Sequence, residues 1–270
     1  MKALITGASS GLGRDIARVL DGLGHELILV ARRENRLREL SNELAGSPRI
    51  IIQDISTLEG CMALYELVRE EQIDVLINNA GFGVFGAFDC TDLDKELQMI
   101  RTNVEAPHIL TKLFLKSFIS RDSGYILNVS SASSFYPGPY MAAYYASKAY
   151  ILHLTQAVGE ELRRQGSHVY IGAFCPGPIH TEFDEKANCR FQLQYISSRR
   201  AAEYAVERML RRQGVIVPGV QMKAFRFFRR FLPDGLVVRL CACIQAPGCS
   251  PEPSETDRWQ EKPEPAQSIL

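Results

Sequence analysis

The chain has 270 residues, of which 46% are hydrophobic and 23% are charged, so it can bury one sizeable core. Its 31 basic and 31 acidic residues give a formal net charge of +0 and are scattered, which removes any global electrostatic case for a nucleic-acid partner. The first predicted strand begins at Lys2, leaving no room for a signal peptide, and no run approaches the roughly 18 to 20 apolar residues that span a bilayer. We therefore expect a cytoplasmic protein without a transmembrane segment.

The cysteines indicate reduced thiols rather than disulfides or a metal site. Their number, seven, is odd, and none of them forms a Cys-x-x-Cys pair. Cys241 and Cys243 are too close in sequence for a usual zinc knuckle, and the five histidines form no ligand cluster. We predict that the protein holds no metal.

Short apolar runs alternate with helical patterns along the chain, and this alternation predicts an α/β fold with a doubly wound parallel sheet. We expect about seven strands, with helices on both faces, and a single domain over residues 1–245. The predicted strands lie near residues 2–6, 26–31, 49–53, 74–77, 124–129, 168–174 and 214–218. The longer predicted helical segments are Asp54 to Gln72, Leu93 to Ser120 and Tyr144 to Arg164.

The first predicted strand ends in a glycine-rich turn. Gly7, Gly11 and Gly13 separate that strand from an amphipathic helical pattern. Glycines let the backbone approach a pyrophosphate closely, and the N–H groups at the start of the following helix stabilise its negative charge. A glycine triplet is also common in ordinary loops, but the strand before it and the helix after it favour a phosphate cradle.

A serine, a tyrosine and a lysine lie at a spacing suited to proton transfer. Lys148 follows Tyr144 by four residues within a helical pattern, so the phenol and the ammonium share one helix face. A nearby cation lowers the pKa of a phenol, ordinarily about 10, towards the range where it both gives and takes a proton. Ser131 ends a predicted strand, where open α/β sheets bind ligands. Tyr145 points about 100° away from Tyr144 around the helix, and we interpret it as a packing residue.

The Tyr-x-x-x-Lys spacing alone often occurs by chance, but here it is accompanied by further motifs in a fixed order. Residues 6–13 read TGASSGLG, residues 78–81 read NNAG, Asn103 lies in MIRTNVEAP, and residues 175–183 read CPGPIHTEF. With these motifs the chain resembles, over roughly residues 1–220, a short-chain dehydrogenase/reductase of the compact, single-domain type. The resemblance implies a Rossmann-type sheet and a nicotinamide cofactor.

The resemblance also implies roles for individual residues. It identifies Asn103 as a fourth catalytic residue, which holds a water in a proton relay with Ser131, Tyr144 and Lys148. Asp54 would lie beside the adenine, although it could also be only a turn residue at a strand end. The residues expected to contact the cofactor are Gly7, Ser9, Ser10, Gly11, Leu12, Gly13, Arg32, Arg33, Asp54, Ile55, Asn79, Ala80, Gly81, Tyr144, Lys148, Pro176, Gly177, Ile179 and Thr181.

The end of the second predicted strand favours NADP(H) as the cofactor. Enzymes that prefer NAD usually carry a carboxylate there, which accepts hydrogen bonds from the ribose and repels a 2′-phosphate. This chain has Ala31, Arg32 and Arg33 instead. A small residue leaves room for the phosphate, and a guanidinium binds it with paired hydrogen bonds. NAD(H) is the alternative, because both arginines could simply solvate the start of the next helix.

We therefore predict hydride transfer between NADPH and a hydrophobic carbonyl or alcohol substrate. Tyr144 would protonate the carbonyl oxygen, Ser131 would stabilise the developing alkoxide, and Lys148 would hold the nicotinamide ribose. A non-catalytic NADPH-binding sensor is the alternative, but a sensor need not keep all four relay residues. Epimerases and dehydratases of the extended type have a larger carboxyl-terminal domain and another glycine spacing, and this chain has neither.

Two segments that flank the predicted nicotinamide site are expected to form an apolar substrate pocket. The predicted lining residues are Phe82, Val84, Ser133, Phe135, Tyr136 and Tyr140. Residues 182–200 follow the Pro-Gly motif, and the resemblance implies a mobile lid there. A hydrophobic ketone, aldehyde or steroid-like alcohol fits this lining, although aromatic residues are more often part of a core.

The carboxyl-terminal region differs in composition. Residues 223–244 mix phenylalanine and leucine with basic residues, which suits either weak peripheral contact with a membrane or a cover over the substrate cleft. Pro233 interrupts the helical pattern and the apolar face is short, which favours the cover. Residues 246–270 are rich in proline and polar residues and are predicted to be disordered.

The long apolar stripes of Leu93 to Ser120 and Tyr144 to Arg164 bear on assembly. Helices of this kind pair between subunits in the family, so the resemblance implies a homodimer or homotetramer. The alternative is that both stripes pack only on the sheet, and the sequence leaves the two open.

Overall fold

The computed structural model describes residues 1–180 and 196–244. Its strands are β1 (Lys2–Thr6), β2 (Glu26–Ala31), β3 (Arg49–Ile52), β4 (Val75–Asn78), β5 (Tyr125–Val129), β6 (Tyr170–Phe174), β7 (Ile179–His180), β8 (Ile196–Ser197) and β9 (Val215–Ile216). Strands β7 and β8 pair with each other, and the other seven form one parallel sheet in the order β3-β2-β1-β4-β5-β6-β9. The predicted fold class is therefore confirmed.

Helices cover both faces of the sheet. They are α1 (Gly11–Gly22), α2 (Glu34–Glu43), α3 (Leu58–Val68), α4 (Leu93–Ile100), α5 (Ala106–Ser120), α6 (Ala142–Arg164), α7 (Ser198–Leu210), α8 (Val220–Phe228) and α9 (Asp234–Ile244). A π turn (Arg101–Glu105) joins α4 to α5, and 3-10 turns occupy Ala132–Phe135 and Arg229–Phe231. Across residues 1–180 and 196–244, no helix combines the length and the apolar character that crossing a membrane requires.

Helix α3 is shorter than predicted at both ends. The prediction placed a helical segment from Asp54 to Gln72, whereas α3 begins at Leu58 and ends at Val68. The carboxylate of Asp54 accepts a hydrogen bond from the backbone N–H of Ser56 (2.9 Å), which holds the start of this segment in a turn. The side chain of Thr57 then caps the helix by accepting a hydrogen bond from the N–H of Gly60 (3.0 Å).

The strands are buried on both faces because successive side chains point to opposite sides of the sheet. On one face, Ile5 of β1 belongs to a cluster with Ile16 of α1 and Ala205 of α7. On the other face, Leu4 packs in a cluster with Phe114 of α5. Two hydrophobic layers therefore hold the carboxyl edge of the sheet, from which the site is built.

A chain of buried polar side chains crosses the second layer. Asn78 Nδ2 of β4 donates to Asn128 Oδ1 of β5 (2.8 Å) and to Thr111 Oγ1 of α5 (3.1 Å). Asn128 Nδ2 donates in turn to Thr155 Oγ1 of α6 (2.9 Å). All four side chains are buried. Because a buried polar group without a partner is costly, these bonds fix how α5 and α6 lie against the sheet.

We expect Asn128→Leu to lower the free energy of unfolding by roughly 2 to 4 kcal/mol, because it removes one buried hydrogen-bond partner from the amide of Asn78 and one from the hydroxyl of Thr155. Urea denaturation measures the change. Asn42→Ala, on the exposed surface of α2, is the matched control and should change the free energy of unfolding by less than about 0.5 kcal/mol. Equal stability of the two variants would contradict the role of the network.

Candidate active site

A cleft of about 490 Å³ lies at the carboxyl edge of the sheet. Its walls come from the turn after β1, the ends of β2 and β4, the segment after β5 and helix α6. The strand order reverses between β1 and β4, and open α/β sheets bind ligands at such a switch point. The volume falls within the range that suits a small-molecule site.

The glycine turn after β1 is held in a conformation that favours glycine. Gly7 and Gly11 have φ values of +68° and +52°. A Cβ atom on Gly7 would lie 2.7 Å from the Cα of Ala80, and one on Gly13 would lie 2.3 Å from the Nδ2 of Asn79. Within the described residues, no side chain caps the start of α1, so the first-turn N–H groups can bind an anion. This cradle fits the pyrophosphate of a dinucleotide.

Side-chain hydrogen bonds tie the glycine turn to the segment after β4. The hydroxyl of Thr6 accepts from the N–H groups of Asn79 (3.0 Å) and Ala80 (3.2 Å). Asn79 Nδ2 donates back to the carbonyl oxygens of Thr6 (3.0 Å) and Gly7 (3.2 Å). The NNAG motif thus holds two loops of the cleft in fixed relation.

Two arginines stand at the end of β2. Arg33 Nη2 donates to the hydroxyls of Ser10 (2.7 Å) and Ser9 (3.3 Å), and Arg32 Nη1 lies 3.7 Å from Asp54 Oδ2. Burial acts to raise the pKa of Asp54, but hydrogen bonds from Ser56 and the charge of Arg32 together lower it. The cleft therefore presents cationic groups beside the glycine turn, where an anionic group on the adenosine ribose would meet them.

Lys148 is buried beside Tyr144. Its Nζ lies 5.8 Å from the centroid of the Tyr144 ring and donates a hydrogen bond to the carbonyl oxygen of Val129 (3.1 Å). Burial lowers the pKa of Lys148 to about 8. The hydroxyl of Ser130 donates to the backbone carbonyl of Lys148 (2.8 Å), which joins α6 to the end of β5.

Asn103 lies on the π turn between α4 and α5, and both ends of its side-chain amide are hydrogen-bonded. Its Nδ2 donates to the carbonyl oxygen of Phe82 (2.9 Å) and to Ser147 Oγ (3.2 Å), while its Oδ1 accepts from the N–H of Phe82 (3.1 Å). A Cβ on Gly81 would lie 2.8 Å from Asn103 Oδ1 and 3.3 Å from Lys148 Nζ. The missing side chain of Gly81 keeps the space between these two atoms open.

Ser131 borders the cleft at the start of the 3-10 turn. Its hydroxyl accepts a hydrogen bond from the N–H of Ser133 (3.1 Å), and its carbonyl accepts from the hydroxyl of Ser134 (2.6 Å). The next N–H, that of Ala132, donates to the carbonyl of Pro176 (2.7 Å). These bonds fix Ser131 on the same cleft as Tyr144 and Lys148.

A family model described as short chain dehydrogenase matches residues 1–190. The chain belongs to the short-chain dehydrogenase/reductase family. Dehydrogenase/reductase SDR family member 7B of Mus musculus is 34% identical over 195 residues, which cover 68% of this chain and 59% of that protein. The chain spans about three fifths of the length of this relative and of others like it.

Two solved structures of dehydrogenases resemble the chain in fold. A short-chain dehydrogenase from Sphingobium yanoikuyae in complex with NADPH is 29% identical, with a TM-score of 0.77 over 87% of this chain and 94% of that chain. A bulky-bulky ketone specific alcohol dehydrogenase from Comamonas testosteroni is 28% identical, with a TM-score of 0.73 over 87% of this chain and 93% of that chain. The predicted family is thus confirmed.

Most residues that the family pattern predicts for the cofactor do line the cleft. The lining members are Gly7, Ser9, Ser10, Gly11, Leu12, Arg32, Arg33, Asp54, Ile55, Asn79, Ala80, Gly81, Tyr144, Lys148, Pro176, Gly177 and Ile179. Gly13 lies behind them, against Asn79 and Gly7. Thr181 lies outside the described residues, as do the larger part of the predicted lid and the predicted disordered tail. The described end of that lid forms β8 and the first turn of α7.

The residues predicted for the substrate pocket divide into two groups. Phe82, Ser133 and Tyr136 line the cleft. The other three lie elsewhere: Phe135 is buried in a cluster with Leu152, Tyr140 stacks on Phe85 with ring centroids 6.1 Å apart, and Val84 packs near Met141. Phe135 lies outside the cleft because the 3-10 turn directs its side chain away from the side that Ser133 and Tyr136 face.

Sequence reasoning missed other lining residues, among them Tyr145 and Met222. Tyr145 packs against Tyr136 with ring centroids 5.7 Å apart, and it borders the cleft as well as packing. Met222 lies one residue before the segment predicted to cover the cleft. The sequence predicted the position of Tyr145 only from its angle to Tyr144 around the helix. That angle cannot show that Tyr136, which belongs to another segment, packs against Tyr145.

The remaining expectations concern metal, assembly and location. In the part of the chain that the structure describes, no group of three or more His, Cys, Asp or Glu side chains is arranged to hold a metal ion. Cys61, Cys90, Cys175 and Cys241 carry free thiols. The homodimer or homotetramer and the cytoplasmic location stay predictions.

We expect Lys148→Met to raise the free energy of unfolding at neutral pH by about 1 to 3 kcal/mol. Burial lowers the pKa of Lys148 from its ordinary 10.5 to about 8, so between these values the unfolded chain binds more protons and stability rises with pH. Below that window the buried ammonium destabilises the fold in full. The gain from Lys148→Met should therefore shrink as the pH rises through the window, as measured by urea denaturation.

The exposed Lys112→Met on α5 is the matched control and should show no such pH-dependent gain. A loss of stability in Lys148→Met that is equal at every pH would contradict a destabilising buried charge.

Proposed function

We propose that this short-chain dehydrogenase/reductase catalyses NADPH-dependent reduction of a hydrophobic ketone or aldehyde to the alcohol. The observation that carries the proposal is that Ser131, Tyr144 and Lys148 border the same cleft as the glycine turn. A proton donor thus shares one cavity with a dinucleotide cradle. In the reverse reaction the same residues would take part in the oxidation of an alcohol. A preference for NADPH favours the direction of reduction.

The chain's own residues fit NADPH. The glycine turn and the start of α1 would bind the pyrophosphate, and Arg32 and Arg33 would bind the 2′-phosphate through charge-assisted hydrogen bonds. Lys148 would donate to the nicotinamide ribose. When bound, NADPH supplies the hydride. The Sphingobium yanoikuyae relative, whose structure holds NADPH, supports this choice. NAD(H) is the alternative cofactor.

Tyr144 would act as the general acid. Its phenol would donate a proton to the substrate oxygen, and the ammonium of Lys148, 5.8 Å from the ring centroid, would stabilise the phenolate that remains. Ser131 would hydrogen-bond the same oxygen as negative charge develops. The space beside Gly81 lies between Asn103 Oδ1 and Lys148 Nζ, and a water there would return a proton towards Tyr144.

The substrate class follows from the part of the cleft that the cradle does not occupy. Phe82, Tyr136, Tyr145 and Met222 give this part an apolar, largely aromatic wall. Such a wall excludes water and favours a hydrophobic carbonyl compound over a sugar. The Comamonas testosteroni relative, described as specific for bulky-bulky ketones, supports this class.

We expect Tyr144→Phe to lower kcat by about a hundredfold to ten-thousandfold, because it removes the proton donor and keeps the ring. The assay follows NADPH absorbance with a panel of hydrophobic ketones, aldehydes and keto-steroids. Tyr145→Phe is the matched variant, since it deletes the neighbouring hydroxyl on the same helix, and it should keep kcat within about tenfold.

A larger loss in Tyr145→Phe than in Tyr144→Phe would overturn the assignment. NADPH binding by the parent protein without turnover across the whole panel would favour the sensor.

We expect Arg33→Ala to raise KM for NADPH about tenfold or more and to raise KM for NADH much less, because Arg33 would bind the 2′-phosphate, which NADH lacks. Steady-state kinetics with each cofactor measures the split. Arg38→Ala, on the exposed face of α2, removes a guanidinium that pairs with Glu34 and should change neither constant. Equal effects of Arg33→Ala on both cofactors would refute phosphate binding.

A further inference from the structure

Helices α8 and α9 and the turn between them, residues 220–244, present two different faces. The inner face covers the cleft: Met222 lines it, and the Phe225 ring lies 4.9 Å from the Tyr136 ring in an edge-on contact. The guanidinium of Arg226 lies 5.0 Å from the ring centroid of Phe135. These contacts orient the segment, so its outer face is left to the solvent.

Three phenylalanines form an exposed patch on the outer face, which we call the phenylalanine patch. Phe227, Phe228 and Phe231 are 55%, 62% and 71% exposed. The Phe227 ring centroid lies 5.5 Å from that of Phe228 and 5.7 Å from that of Phe231, so the three rings make one continuous surface. Contiguous exposed aromatic surface marks an interaction site.

The same segment concentrates positive charge. Residues 220–244 contain five cationic side chains and one acid, Asp234, a net charge of +4 in a chain whose formal charge is +0. Arg229 Nη2 lies 3.7 Å from Asp234 Oδ1. Arg230 and Arg239 are exposed, and neither forms an ion pair with another residue that the structure describes. Exposed positive charge therefore lies on the same segment as the phenylalanine patch, and Arg230 directly precedes Phe231 of the patch.

We propose that the phenylalanine patch docks on the surface of an anionic lipid bilayer. Aromatic side chains on one face of a short helix enter the headgroup boundary, and arginines beside them attract anionic headgroups. A second copy of the chain fits less well, because a twofold contact would bring the same patch and its +4 charge against itself. The docking does not depend on the reaction proposed above.

The test is cosedimentation of the full chain with vesicles of phosphatidylcholine alone or of equimolar phosphatidylcholine and phosphatidylserine. We expect binding to the anionic vesicles only, and a steep loss of binding in 1 M salt, where the Debye length falls to about 3 Å. The variant F227S/F228S/F231S should weaken binding at least about tenfold, and R230Q/R239Q should weaken it by a similar factor.

Matched controls separate the patch from general stickiness and charge. F88S/L93S removes two apolar side chains that are 70% and 67% exposed outside the patch, and K112Q/K116Q removes two exposed cations from α5. Both should bind anionic vesicles like the parent. Thermal unfolding and NADPH binding, compared for every variant, check that the fold is intact.

Absence of binding to the anionic vesicles, or full binding by F227S/F228S/F231S, would overturn the proposal. A dimer that forms without lipid and is lost in that variant would assign the patch to a second copy instead. The acidic tail is the other rival occupant, since residues 252–264 carry five acids. Vesicle binding that emerges only when E252Q, E255Q, D257N, E261Q and E264Q are combined would assign the patch to the tail and also overturn the proposal.

Discussion

The site depends on the close contact between the glycine turn after β1 and the segment after β4. The two loops touch where the strand order reverses, and Asn79 Nδ2 occupies the space that a side chain on Gly13 would need. The hydroxyl of Thr6 accepts hydrogen bonds from two backbone N–H groups of the segment after β4. Because these bonds join the turn after β1 to the segment after β4, they fix the position of the cradle relative to the wall that carries Gly81. Both loops line the cleft.

The burial of Lys148 places a charge where the proposed chemistry needs it and lowers the stability of the fold. The ammonium lies inside the protein and donates a hydrogen bond to the carbonyl oxygen of Val129. Desolvation of a cation is unfavourable, and the lowered pKa of Lys148 is a measure of that cost. The polar chain through Asn78 and Asn128 ties α6, the helix that carries Lys148, to the sheet through Thr155. The fold thus tolerates a destabilising charge at its proposed catalytic centre.

The carboxyl-terminal segment joins the cleft to the outer surface. One helix, α8, places Met222 against the cleft and Phe228 in the solvent. A helix of this length can separate two apolar faces, since its side chains point in all directions around one axis. The two sequence interpretations of this segment, a cover for the cleft and a membrane contact, are therefore compatible: the structure supports the first through the inner face, and the second is our proposal for the outer face.

The sequence by itself determined the fold class and the position of the main motifs, because these depend on periodicity and on spacing within single segments, and those motifs together carried the resemblance to the family. Tyr144 and Lys148 share a face through helix geometry alone, and the glycine turn is recognisable from its flanks. Only the tertiary structure decided which side chains from separate segments meet. It turned Phe135 into the core, brought Tyr145 and Met222 to the cleft, and gave Asn103 its partners. The physical reason is that such contacts depend on how helices and turns pack across the sheet, which no local pattern encodes.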